Sequence, residues 1–470
     1  MVPARDDRSV AVRLAGAVAL FLLLVGQAQV TVLDGSSMLA VAQGIVHDGT
    51  VAVPADLGVL GHDGSHYSKY GLLLPLLCAV PIALVQPIGA VTGYVDLLEA
   101  AIAASLMPLV AGVLAAALFG LGRRLGAPRP AAALVAIGTV LGTYLLPYGR
   151  DFFTEPLVAL GLVVMLERAL AGREVQAAAA LGFAVLARPQ TAAIAPLLLL
   201  YLYMRGGLRP ALRALPPLAV AAAITVGYNL LRFADALEFG YRDPADPGFT
   251  TPFFEGAGGL LFSPEKSIFL FAPAIVLVPL AAVYLWRRER ALVLFALGLF
   301  AAIFGLAATW WSWQGGFSWG PRLLVPGAAV LLALLAPWIG DRRDRLRIAA
   351  ALFALGFALS LPATLAPAGA QLLEGTTGDD GPRITRQYAE LPRLTENSVD
   401  AAQDRSARDG DYRRYLAVWQ AGVVREFGTI GVLPAALGTI GLLAALLAVA
   451  RPLAVELRGD EQQRQGERRR

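Results

Sequence analysis

Long apolar runs, spaced by short loops that carry most of the arginines, constrain this chain more than any single motif. They lie at 10–33, 71–90, 97–121, 130–148, 153–171, 175–204, 214–231, 267–286, 291–310, 322–339, 346–366 and 428–450. A bilayer core offers the backbone no outside hydrogen-bond partner, so such runs must be helical, and the sequence lacks the alternation of a membrane β-barrel. With 57% hydrophobic and 16% charged residues and a mean hydropathy of +0.62, the chain is too apolar for a water-soluble globule. The expected fold class is an all-α polytopic membrane protein.

Arginine placement sets the orientation, because short cytoplasmic loops are enriched in Lys and Arg. Arg5, Arg8 and Arg13 keep the N-terminus inside, so the first helix, read as retained and not cleaved, exits near Asp34. The cluster Arg123, Arg124 and Arg129 falls inside only if 71–90, interrupted by Pro75, Pro81 and Pro87, lies at the outer interface without crossing. The run 175–204 then crosses twice, as two short helices broken at Arg188-Pro189. Every later basic cluster falls inside, and the count is twelve crossings, within an expected range of about 11–13. The expected organisation is a membrane module over 1–366 with a first outer loop at 34–70 and an interfacial helix at 71–90, an external segment at 367–427, a last membrane helix at 428–450 and a basic cytoplasmic tail at 451–470. The net charge of +4 therefore reads as topology and not as a nucleic-acid surface. A single cysteine, Cys78, rules out an intrachain disulfide.

Unusual polar residues collect on the outer side. In LDGSSMLAVAQGIV, Asp34 either caps the helix that follows or serves as a general base half shielded from water. In HDGSHYSKYG, Tyr67 and Tyr70 suit headgroup depth, and Lys69, one of two lysines in an arginine-rich chain, suits a phosphate contact. His62, Asp63 and His66 lack a diagnostic metal spacing and read as solvated loop residues. In PYGRDFFTEPL, Arg150 and Asp151 read as a surface pair, whereas Glu155 lies inside the start of an apolar span, where a carboxylate is costly. Arg188 and Arg232 add positive charge at membrane depth, and Lys266 stands at another outer helix start after the capping pair Ser263-Pro264.

The stretch WWSWQGGFSWGPR, Trp310 to Arg322, joins two apolar runs. Interfacial anchoring explains tryptophans but not the glycines or Arg322. Gly315-Gly316 permit tight turning, Gly320-Pro321 sets the next helix start, and Arg322 beside it suits an anion. Trp313 and Trp319 offer flat faces for a sugar ring.

Asp34, the Tyr-x-Lys-Tyr stretch at Tyr67 to Tyr70, Glu155, the Leu-x-Arg-Pro break at Leu186 to Pro189 and the Trp-Gly-Pro-Arg corner at Trp319 to Arg322, taken in that order, resemble the GT-C superfamily of membrane glycosyltransferases. The likeness is to the family 39-like enzymes related to protein O-mannosyltransferases and the lipid A aminoarabinose transferase, and it runs to about residue 340. The resemblance implies a GT-C-like bundle and an inverting transfer from a polyprenyl-phosphate-sugar donor to a hydroxyl acceptor at the extracytoplasmic face of a bacterial cytoplasmic membrane. Asp34 would be the base, Glu155 would orient a substrate, and Lys69 and Arg322, with Arg188 and Lys266, would hold the donor phosphate. Tyr67, Tyr70, Arg150, Trp313 and Trp319 would contact substrate. Many relatives carry a second acidic residue beside the first or before the lysine. Here those places are Gly35 and Ser68, so the sequence assigns no cofactor and argues against, without excluding, a divalent metal. The expected partners are the lipid-linked donor, a glycan, lipid or protein acceptor, and membrane lipid, with no nucleic acid. The alternative is a polytopic transporter or flippase for a lipid-linked or small solute, which should show repeated halves and polar groups at the midplane.

Overall fold

Charged side chains pair across the ends of the helices and sort the bundle into two poles. A computed structural model describes residues 5–365 and 429–469, apart from 28, 29, 31, 242–246, 265 and 317. The segment expected to be external, 367–427, lies outside the described residues. The helices are α1 (Arg5–Leu24), α2 (Leu33–His47), α3 (Leu73–Thr92), α4 (Val95–Arg124), α5 (Arg129–Leu141), α6 (Leu145–Tyr148), α7 (Glu155–Leu170), α8 (Glu174–Ala187) and α9 (Ala195–Gly206). They continue as α10 (Leu208–Phe233), α11 (Phe253–Phe262), α12 (Ile268–Phe271), α13 (Val278–Trp286), α14 (Arg290–Thr309), α15 (Val325–Ala333), α16 (Leu335–Ile339), α17 (Arg343–Leu365) and α18 (Thr429–Arg469). Beside them, among the described residues, stands one two-stranded antiparallel ribbon, β1 (Val59–Leu60) and β2 (His66–Tyr67).

At one pole Asp7 of α1 meets Arg123 of α4 at 3.1 Å and Arg129 of α5 at 2.7 Å. Arg124 meets Glu167 of α7, Arg213 of α10 meets Glu174 of α8, Arg205 of α9 meets Glu289, and Arg13 of α1 meets Glu456 of α18. These are the clusters that the arginine distribution assigns to one side. Following the chain from pole to pole gives twelve passes among the described residues: α1, α4, α5 with α6, α7, α8, α9, α10, α13, α14, α15 with α16, α17 and α18. Six described helical segments are long and apolar enough to cross a membrane unaided, and several of the other passes are short or interrupted. The interruptions follow from local chemistry. Gly142 ends α5, Pro189 follows the end of α8, and Pro273 opens a 3-10 turn (Pro273–Leu277) ahead of α13.

Helix α3 is among the six, at 20 residues and a hydropathy of 2.0. It nevertheless makes no net pass. Gly71, just before it, packs on the carbonyl end of α8 at the pole opposite the arginines, and α4, which follows, runs back to place Arg123 on Asp7. Both ends of α3 therefore lie at one pole. The prolines expected to break it do not. Pro75 sits in the first turn, where its missing N–H had no intrahelical partner, and Pro81 and Pro87 are carried within a continuous helix. The first apolar run also divides sooner than expected, because α1 stops at Leu24 and α2 starts at Leu33. The outer loop between α10 and α13, read from the sequence as polar, contains the short apolar helix α11, with Phe254 87% exposed.

Candidate functional site

Four charged side chains converge at the pole opposite the arginine clusters, each placed by the end of a different element. Asp34 stands in the first turn of α2, whose N-cap residue Val32 makes no side-chain cap. The capping alternative for Asp34 is therefore displaced. Its Oδ2 accepts from Arg322 Nη1 at 2.9 Å, and its Oδ1 accepts from the Tyr70 hydroxyl at 2.6 Å. Glu155 opens α7 directly before Pro156. Its Oε1 accepts from Arg188 Nη1 at 2.9 Å and lies 3.4 Å from Arg322 Nε.

Local sequence explains the placement of both arginines. A residue before proline is driven to extended backbone, and Arg188 has φ −150° and ψ 99°, so α8 ends there and its side chain leaves the helix toward Glu155. Arg322 follows Gly315, Gly316 and Gly320, which hold φ of 77°, 68° and 60°, a region closed to most side chains. That folded corner carries Arg322 to the start of a 3-10 turn (Arg322–Leu324), where its guanidinium lies 5.3 Å from the Phe153 ring centroid.

The cluster is deep but not sealed. The Glu155 side chain is 2% exposed, Arg322 14%, Arg188 19% and Asp34 26%. It is also incompletely satisfied, since Glu155 Oε2 and Arg322 Nε are buried without a hydrogen-bond partner. Burial alone would raise the pKa of Asp34. The charge of Arg322 and the hydrogen bonds from Tyr70 and Arg322 outweigh it and hold the carboxyl below the ordinary carboxylate range. Tyr70 is pushed well above the usual phenol range, first by burial and then by the charge of Asp34, so it remains a donor.

Loop 68–71 is clamped from several sides. Ser68 Oγ accepts from Ser37 Oγ of α2 at 2.8 Å, its carbonyl accepts from Arg232 Nη1, and Gly71 packs on the carbonyls of Leu186 and Ala187. Arg232 is 2% exposed, lies over the Tyr228 ring at 3.8 Å and bonds Asn229 Oδ1 at 2.7 Å. Lys69, between the clamps, sets its ammonium 5.0 Å over the Tyr241 ring.

The remaining sequence candidates are placed differently. Arg150 is wholly buried and donates to the Val25 carbonyl at 2.9 Å and to the Thr364 carbonyl, joining the ends of α1 and α17; it is not the surface residue its loop position suggests. Lys266 is 4% exposed and points its ammonium at the Gly316 and Ser318 carbonyls, inside the glycine corner. Tyr67 donates to Asp63 Oδ2 at 2.8 Å and meets the Phe233 ring edge to face. Trp313 and Trp319, expected to offer open faces, are each 7% exposed: Trp313 lies on Gly259 of α11, and Trp319 meets Phe271 edge to face while its carbonyl accepts from the Tyr148 hydroxyl.

Asp151 is the carboxylate whose setting the sequence misjudged. It is 4% exposed, accepts the Phe152 N–H at 2.8 Å, and burial pushes it up to about 6, with the nearby charge of Asp34 adding to the rise. A buried carboxylate and a surface one read alike in the string RDFF. No group of three or more His, Cys, Asp or Glu able to hold a metal ion occurs among the described residues. The two carboxylates of the cluster already face guanidinium groups, an arrangement that does not fit a divalent cation between them.

No protein-family model matches the chain, and no curated protein matches it in sequence. Solved structures do resemble it. ArnT from Cupriavidus metallidurans bound to undecaprenyl phosphate is 16% identical, with a TM-score of 0.51 over 98% of this chain and 79% of that one. The Archaeoglobus fulgidus oligosaccharyltransferase in complex with Zn and sulfate is 14% identical, with a TM-score of 0.50 over 85% of this chain and 58% of that one, so the match spans under two thirds of its length. At these identities the likeness is one of fold, and the chain is an integral membrane protein built on the GT-C fold.

Proposed function

We propose that the chain is an inverting glycosyltransferase that moves a sugar from a polyprenyl-phosphate donor to a hydroxyl acceptor at the extracytoplasmic face. The observation that carries the proposal is the recessed Asp34–Arg322–Glu155–Arg188 cluster, with Tyr70, at the arginine-poor pole of a GT-C fold. The solved relative ArnT binds undecaprenyl phosphate, which supports a lipid-linked donor here. The pole opposite the arginine clusters faces outward by the same charge rule that orders the loops.

In the proposed reaction the acceptor oxygen attacks the anomeric carbon from the face opposite the phosphate. The new bond joins that oxygen to the carbon, the bond from carbon to phosphate oxygen breaks, and its electron pair leaves with the phosphate. Asp34 takes the acceptor proton, while Arg322, Arg188 and Lys69 stabilise the charge gathering on the phosphate. Glu155 fixes both arginines and offers its free Oε2 to a sugar hydroxyl. Lys266 acts at one remove, by holding the corner that carries Arg322. The Zn named with the oligosaccharyltransferase finds no matching donor set in this cluster, and no step passes through a metal.

The test is transfer of label from a panel of radiolabelled polyprenyl-phosphate sugars to membrane-extract acceptor by protein in nanodiscs. Wild type should form a labelled product, and Asp34→Asn should reduce its rate by about 10²–10⁴-fold while still binding the donor lipid. No transfer from any donor by folded wild type would redirect the assignment to lipid or solute transport.

A further inference from the structure

The two groups to which the proposed reaction gives separate tasks are bonded to each other. Arg322, assigned to the donor phosphate, donates to one Asp34 oxygen at 2.9 Å, and Tyr70 donates to the other at 2.6 Å. Both oxygens of the base are thus engaged, and the anion is stabilised where a proton acceptor should be destabilised. Arg322, by contrast, is incompletely used: its Nε lies 3.4 Å from Glu155 Oε1 and forms no hydrogen bond. A phosphate is a better partner for such a guanidinium than one carboxylate oxygen, because it can take two parallel N–H donors.

We infer that the donor phosphate takes Arg322 away from Asp34, so that the base becomes available only after the donor has bound. This deepens the proposed function and rests on it. The charges support the exchange. Asp34 and Glu155 with Arg322 and Arg188 sum to zero, so within these four a phosphate monoanion must draw on a cation already in use. Once Arg322 turns to the phosphate, Asp34 keeps the Tyr70 hydroxyl and the more distant charge of Arg188, and it faces the negative charges of Asp151 and the phosphate. Desolvation is then offset less, and the affinity of Asp34 for a proton rises. Proton and charge balance: the acceptor hydroxyl loses its proton to Asp34, the phosphodiester monoanion leaves as a phosphate carrying one more negative charge, and Arg322 is in contact with that charge as it forms. A water molecule entering the substrate-free site meets no free base. The order of binding is donor first, acceptor second.

The measurement is infrared difference spectroscopy of the protein in nanodiscs, following the protonated-carboxyl band present in wild type and missing in Asp34→Asn, titrated against pH. The probe is polyprenyl phosphate without a sugar, and its binding is scored separately by retention of radiolabelled lipid. The expected result is an upward shift of the Asp34 midpoint by about one pH unit or more when the lipid is bound, a tenfold change in protonation at fixed pH. Retained lipid with an unmoved midpoint overturns the exchange and leaves the proposed function standing. Failure of wild type to retain the lipid overturns both.

Discussion

Gly71 couples site geometry to stability in a way that can be measured. A methyl group added there would lie 2.5 Å from the Leu186 carbonyl oxygen and nearer still to that of Ala187, against 3.4 Å for ordinary contact. Both obstacles are backbone, so neither can rotate aside. In Gly71→Ala the segment carrying Tyr70 must therefore move away from the segment carrying Arg188, and a displacement of roughly 1 Å costs a positioned reaction about 10²-fold. The accompanying loss of stability should be moderate, about 1–3 kcal/mol, the range for an extra methyl in a packed interior. Gly120→Ala is the control, because nothing lies within 4 Å of its added carbon and the change favours the interior of α4. Both variants are assayed for label transfer and for thermal unfolding in one detergent. A Gly71→Ala protein with wild-type transfer and wild-type melting would refute the close approach of the two segments.

Two further predictions concern groups around the cluster. Asp151 is held up to about 6 by burial, so the folded chain binds its proton more tightly than the unfolded chain does. Its contribution to stability is full below the ordinary carboxylate range and is lost as pH rises through about 6, an effect on the order of 2–3 kcal/mol at most. Asp151→Asn should flatten the dependence of Tm on pH between about 4 and 7, and an unchanged slope would show that this carboxyl is not the group responsible. Lys266→Met should leave the Gly316 and Ser318 carbonyls without their charged donor. Transfer should fall by about tenfold or more through loosened placement of Arg322, a loss of 1–2 kcal/mol of positioning, with the lipid still retained. Full activity in that variant would mean that the glycine corner holds Arg322 without help.

The membrane character and the pole-to-pole order of helices were legible because they rest on one-dimensional signals. Hydropathy marks the segments, and arginine marks the loops that pair at one pole. The short helices α8 and α9 were legible for the same reason, since Pro189 states the break and forces Arg188 into extended backbone. The burial of Arg150 was not, because its acceptors are the carbonyls of Val25 and Thr364, 125 and 214 residues away in sequence. Trp313 misleads in a similar way. Its ring is covered because Gly259 of α11 leaves room for it, and a glycine in an apolar string gives no notice of what packs on it. The sequence suggested Asp34, Tyr70, Glu155, Arg188 and Arg322 as residues of one outer face, with Glu155 as a candidate partner of Arg188. That Arg322 lies between two carboxylates is a property of the fold alone.

That central position makes the two members of the Asp34–Arg322 pair unequal, and the inequality tests the cluster as a unit. Asp34→Asn leaves Arg322 beside Glu155 and should cost about 1 kcal/mol, since Asp34 is a quarter exposed. Arg322→Gln leaves Asp34 without its ion-pair partner and Glu155 with Arg188 alone, and should cost about 3 kcal/mol, the lower end for breaking a buried pair. In the double variant Asp34 is no longer charged and only Glu155 has lost a cation, so its loss should be no larger than that of Arg322→Gln alone. The interaction energy of the cycle, read from denaturant or thermal unfolding, is then about 1 kcal/mol or more. Additivity to within about 0.5 kcal/mol would mean that the two charges do not sense each other, and the exchange of Arg322 between Asp34 and a phosphate would lose its physical basis. A strong coupling, joined to the idle Nε of Arg322 and the idle Oε2 of Glu155, has a different meaning. Stability is held back at this pole, in polar atoms left unmatched, where an anionic ligand has the most to satisfy.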